Sequence, residues 1–83
     1  MKVIVEVMPK DGILDPQGKA VQQALHQLGY GEVRNVRVGK RIVLNVEGSD
    51  KTIALKRAEE MADTLLANEN VEGFKVHLAG GKA

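Results

Sequence analysis

The chain has 83 residues, 12 basic and 11 acidic, with 43% apolar and 28% charged side chains. That length holds one domain, residues 1–83, and domains this small bury only roughly 60% of their unfolded surface, so they are marginal and gain from partners. A formal charge of +1 exerts no global pull on nucleic acid or anionic lipid. The absence of cysteine excludes disulfides, thiolate metal sites and a cysteine nucleophile.

No apolar run approaches the ~20 residues of a membrane span. The start Met1-Lys2-Val3-Ile4-Val5-Glu6 carries charge inside its apolar stretch and does not read as a secretion signal. A cytoplasmic protein is expected.

Val3, Val5 and Val7 alternate with Ile4, Glu6 and Met8, a period of two that predicts a strand over 2–8. Pro9 lacks a backbone donor and ends the pairing. Asp15-Pro16 predicts a helix start, with Asp15 as N-cap and Pro16 in the first helical position. Val21, Ala24, Leu25 and Leu28 form one apolar stripe, and Gly29 closes a helix over 15–28.

Val36 and Val38 predict a strand over 33–38; Ile42, Leu44 and Val46 predict another over 41–47. Gly39-Lys40 between them fits a two-residue type II′ hairpin loop. Ser49 or Asp50 caps the next helix, expected over 51–67 with Ala54, Ala58, Met61, Ala62, Leu65 and Leu66 buried. Asn68-Glu69-Asn70 reads as a turn, Phe74, Val76 and Leu78 as a last strand, and 79–83 as a frayed tail.

The order β-α-β-β-α-β predicts an α+β ferredoxin-like sandwich or a close variant, a four-stranded antiparallel sheet with two helices on one face. The pattern of the last strand is the same whether it pairs within its own chain or across a dimer. The helix-facing set would be Val3, Val5, Val7, Val36, Val38, Ile42, Leu44, Val46, Phe74, Val76 and Leu78. The open face then carries Ile4, Met8, Val33 and Val43 among charges, which suits a protein contact better than a membrane surface.

The residues offer no catalytic constellation. His26 and His77 lie on different elements, with no carboxylate spaced to complete a metal triad. Gly39-Lys40 does not end a phosphate loop, because Arg34 and Arg41 stand where that pattern needs glycine and Ser or Thr. Arg34, Arg37, Lys40 and Arg41 form a basic cluster suited to phosphate or an acidic partner surface, or to plain solvation of a hairpin. Stacking of RNA bases needs aromatics on the open face, and only Tyr30 and Phe74 are present. Glu59, Glu60 and Asp63 occupy an exposed helical face. Gly18 in the first helical turn lets another backbone approach, leaves the helix amides open to an anion, or is simply a glycine that a helix end tolerates cheaply.

Gly12-Ile13-Leu14-Asp15-Pro16-Gln17-Gly18, followed by Ala20-Val21, Ala24-Leu25 and Leu28-Gly29-Tyr30, resembles the start of the small S subunit of phosphoribosylformylglycinamidine synthase, the PurS family. Val36-Arg37-Val38-Gly39-Lys40 resembles that family's hairpin, and Leu65-Leu66-Ala67-Asn68 with Val71-Glu72 the end of its second helix. The resemblance implies a non-catalytic subunit in purine biosynthesis. The complex converts formylglycinamide ribonucleotide, glutamine and ATP into formylglycinamidine ribonucleotide, glutamate, ADP and phosphate.

It further implies a glutaminase subunit and a large synthetase subunit as partners, with ammonia passing between them, and self-association to a dimer or tetramer. No cofactor is then held by this chain, since ATP and magnesium serve the large subunit. Asp15, Pro16, Gln17, Gly18, Arg37, Gly39 and Lys40 become the expected partner-facing residues: Asp15 as cap, Gly18 for close approach, Arg37 and Lys40 for charge pairing. The competing reading is an ACT-like regulatory module, which shares the element order and would bind a small molecule between protomers.

Overall fold

The computed structural model of the chain describes residues 1–79. Strand β1 (Lys2–Pro9) leads to helix α1 (Pro16–Gln27), strand β2 (Lys40–Asn45), helix α2 (Lys51–Met61), a π-helical segment (Ala62–Leu66) and strand β3 (Glu72–Leu78). The three strands form an antiparallel sheet in the order β2-β1-β3.

The valine alternation of β1 does what its period dictates. Val3, Val5 and Val7 are fully buried and pack with Ala54, Ala58, Ala62 and Ala67. Alanines every fourth residue let α2 lie close on the sheet, while Ile42, Leu44, Leu55, Leu66, Phe74, Val76 and Leu78 close the core from its sides. The last strand pairs within its own chain, with Val5 opposite Val76 and Val7 opposite Phe74.

Both helix starts are capped by aspartate. Asp15 accepts from the Gly18 N–H, with Pro16 in the first turn. Asp50 rather than Ser49 caps α2, accepting from the Ile53 N–H at 3.1 Å. Gly29, at φ 100°, follows the end of α1, and Asn68 organises the turn before β3 by accepting from the Asn70, Val71 and Glu72 N–H groups.

Pro9 does not end the pairing, since it lies opposite Glu72 within β1 and the next residue, Lys10, donates to the Val71 carbonyl at 2.8 Å; four further expectations fail. The segment 33–38 is not a strand of this sheet, so the sheet has three strands rather than four. The hairpin at Gly39-Lys40 does not form, because the chain passes from 33 through Gly39 into β2 without a turn or bend. Gly39 is needed instead for closeness: a Cβ there would collide with the Val7 carbonyl oxygen and the Met8 sulfur.

Helix α1 does not cover the sheet either. Gly18 is its only buried residue, and Val21 and Leu28 remain 39% and 73% exposed. Finally, Leu65 is 82% exposed. The Ala67 N–H reaches back to the Ala62 carbonyl at 2.9 Å, an i→i+5 bond whose wider turn rotates Leu65 off the buried side.

The result is long. A compact chain of this size has a radius of gyration of about 12 Å; this one has 15.8 Å, with extents of 48 × 27 × 15 Å. Of the expected tail, Ala79 donates to the Lys2 carbonyl at 3.0 Å, and 80–83 lie outside the described residues. No helix among the described residues is long and apolar enough to cross a membrane.

Candidate partner interface

The residues expected to face partners divide between two places. Asp15, Pro16, Gln17 and Gly18 start α1, and Arg37 crosses beside them. Gly39 and Lys40 sit where the chain joins the sheet. Of the first group, Asp15 and Arg37 border an open cavity of about 460 Å³ lined by the 11–15 loop, Lys19, Gln22 and 35–37.

Asp15 holds this place together. One carboxylate oxygen accepts from the Gly18 N–H at 3.0 Å and the other from the Val38 N–H at 2.8 Å. A single side chain thus caps the helix and ties down the returning strand. These two bonds, Gly18 first, hold its carboxyl below the ordinary 3.8, against the opposing effect of desolvation, with smaller help from the Gln17 N–H and the Arg37 charge. Hydrogen bonds to the charged form favour that form.

Gly18 serves close approach. A Cβ at Gly18 would strike the Val36 carbonyl oxygen, and the anion at the helix start is Asp15 itself. Pro16 and Gln17 stay exposed. Arg37 donates to Asp11 at 3.1 Å, on a carboxylate fully open to water, where such pairs contribute little. Lys40 donates to the Leu66 carbonyl at 3.3 Å and lies 3.9 Å from Glu72. Lys40 is thus engaged within the chain, while Arg37 rests on a weak, exposed pair and stays open to a partner.

Gln22 and His26, one turn apart on α1, both reach the backbone of the returning segment. Gln22 donates to the Val33 and Arg34 carbonyls, and His26 Nε2 lies 2.6 Å from the Val33 carbonyl. A carbonyl can only accept, so Nε2 carries the proton. Their i, i+4 spacing was the available signal.

These contacts sort the backbone of the strand by edge. Arg34, Val36 and Val38 turn their peptide groups toward α1. Farther along, Val46 exchanges backbone hydrogen bonds with Met1 at 2.7 and 2.8 Å, so the even-numbered residues of β2 face β1. The odd-numbered residues Asn35, Arg37, Arg41, Val43 and Asn45 face outward, and among the described residues no backbone group pairs with that edge. Beside it lies an apolar groove of about 460 Å³ that includes Leu44, Met61, Leu65 and Leu66.

The other sheet face carries Ile4, 4% exposed, between Val43 and His77. His77 Nε2 lies 3.2 Å from Glu6.

Comparison with known proteins places the chain. The family model for PurS, phosphoribosylformylglycinamidine (FGAM) synthase, matches residues 2–80. The PurS subunit of that synthase from Bacillus subtilis is 46% identical over 74 residues, covering 89% of this chain and 87% of that one.

Among solved structures, Methanocaldococcus jannaschii PurS, described as one of the subunits of formylglycinamide ribonucleotide amidotransferase in the purine biosynthetic pathway, superposes with a TM-score of 0.83 at 30% identity, covering 98% of each chain. A chain of the Thermotoga maritima PurLQS structure gives 0.83 at 28% identity, covering 93% of this chain and 94% of that one. The chain belongs to the PurS family, the small subunit of FGAM synthase in purine biosynthesis.

Proposed function

We propose that this chain is the bridging subunit of a cytoplasmic FGAM synthase complex, joining a glutaminase subunit to a large synthetase subunit and helping ammonia cross between them. The observation that carries the reading is the shape of the chain: a helix and the extended segment 33–38 reach out from a three-stranded sheet and leave a long backbone edge and an apolar groove uncovered. The likeness to a chain of the T. maritima PurLQS structure supports the same role. The subunit associates with itself as a dimer or tetramer, and its ferredoxin-like, four-stranded form belongs to that assembled state. As a single domain it binds no cofactor; ATP and magnesium act on the large subunit.

The physical work is geometry and exclusion of water. Ammonium, the dominant form at neutral pH, is not nucleophilic. A dry passage between two fixed sites keeps ammonia unprotonated and its effective concentration high. Asp15 and Gly18 set the angle between α1 and the returning strand, and the exposed Pro16, Gln17 and Arg37 form the surface offered to the larger subunits.

The test is reconstitution from purified glutaminase, synthetase and this chain. Glutamine-dependent FGAM formation should require the chain, and the three should elute together. Equal activity and separate elution would refute the proposal.

A further inference from the structure

The sheet has two faces, and α2 covers one of them. On the other, β1 turns out Ile4, Glu6 and Met8. The register sets Val43 and His77 beside Ile4, Arg41 and Lys75 beside Glu6, and Gly73 beside Met8. Paired residues of neighbouring strands share a face, so these side chains form one surface.

Its charge is one-sided. Lys2, Arg41 and Lys75 are exposed, and among the described residues none of the three forms an ion pair. Glu6, the acid on this face, is taken by His77 at 3.2 Å.

Gly73 is a second, independent sign of an occupant. It lies inside β3 without a positive φ, and a Cβ there would meet nothing within 4 Å. Neither a turn nor a close contact within the chain calls for glycine at this position. A glycine weakens a strand and often marks the place where a ligand or another backbone comes close. The empty place belongs to an open groove of about 400 Å³ that includes Glu6, Met8, Phe74 and Lys75. Met8, 43% exposed, supplies an adaptable apolar wall.

We propose that this open face docks an acidic surface of one of the larger subunits, with an apolar side chain of that subunit seated over Gly73 against Met8 and its carboxylates set against Lys75, Arg41 and Lys2. The inference rests on the bridging reading and gives it a face: a bridge needs two surfaces, and the start of α1 offers one.

The chemistry selects against other occupants. A second copy laid face to face would bring the same three cations against their own kind, and like charges set together across an interface are disfavoured. RNA bases need aromatics to stack on, whereas Phe74 packs on the core and Tyr30 lies outside the strands. An acidic protein surface meets three unpaired cations at the rim and the apolar Val43 and Met8 between them, the arrangement of a protein interface.

The test uses the full chain with the purified glutaminase and synthetase subunits. Gly73→Val fills the slot without a clash at the added Cβ, and valine favours a strand. Its melting temperature should equal or exceed that of the unaltered chain, while its affinity for the larger subunits should fall roughly tenfold or more. Lys75→Glu should weaken the complex by about the same factor, and binding of the unaltered chain should weaken as salt rises.

The outcomes separate the two readings. An unaltered chain that binds neither larger subunit would overturn the bridge and this face with it. An unaltered chain that binds, with Gly73→Val or Lys75→Glu binding as tightly, would overturn the face and leave the bridge to other surfaces. A lower melting temperature of Gly73→Val would show that the chain itself uses the slot. A changed sedimentation of that variant on its own would give the face to a second copy. Either of these results overturns the proposal.

Discussion

Asp15 and Gly18 show how two small residues set the direction of an arm. The Asp15 carboxyl is held below 3.8 by the Gly18 and Val38 amides. A depressed carboxyl stabilises the fold fully above its unfolded value and loses that contribution as pH falls through the folded one. The Val38 amide should therefore stay protected near neutrality and open only in acid, as pH falls through a folded value that lies below 3.8. In Asp15→Asn that dependence should vanish, with faster exchange of the amide near neutrality and rates that converge with those of the unaltered chain in acid; an unchanged profile would exclude the clamp.

Gly18→Ala inserts a methyl group into the Val36 carbonyl. Overpacking of this kind costs ~1–3 kcal/mol. Thermal melts should show it, and hydrogen exchange should localise the loss to α1 and 33–38 rather than to the sheet.

At the scale of elements, α2 and the segment after it separate stability from assembly. Ala58 is fully buried against the sheet, so Ala58→Leu should lower stability by ~1–3 kcal/mol. Leu65 is nearly free of its own chain. Leu65→Lys should change monomer stability by no more than ~0.5 kcal/mol, yet weaken self-association in sedimentation; loss of folding instead would show that Leu65 belongs to the core.

Some elements were legible in the sequence because their signals are local. Val3, Val5 and Val7 alternate in any strand, and Asp15-Pro16 caps a helix wherever that helix goes. The placement of 33–38 was not legible. Val36, Val38, Ile42 and Leu44 give the same alternation whether the chain reverses at Gly39 or runs straight, and Gly39 suits a tight turn as well as a close approach to Val7 and Met8. The π-helical turn was hidden for a related reason: Leu65 and Leu66 fit the stripe of an ordinary helix, and only an i→i+5 bond moves one of them outward. Of the expected partner-facing residues, Asp15 and Gly18 also bond to and pack against Val38 and Val36, because one carboxylate serves the helix start and the returning segment together.

The whole molecule is one sheet layer, one covering helix and one outreaching arm, a shape poorly suited to enclosing substrates and well suited to touching several neighbours. An 83-residue chain that spends α1 and 33–38 outside its core accepts low stability alone in exchange for surfaces. The most direct test of the bridging claim is the coupling ratio of the reconstituted complex: FGAM formed per glutamine hydrolysed, with free ammonia trapped enzymatically. With this chain present the ratio should approach one, and without it ammonia should escape to the trap while synthesis driven by added ammonium salt persists. A ratio unaffected by the chain would contradict the account.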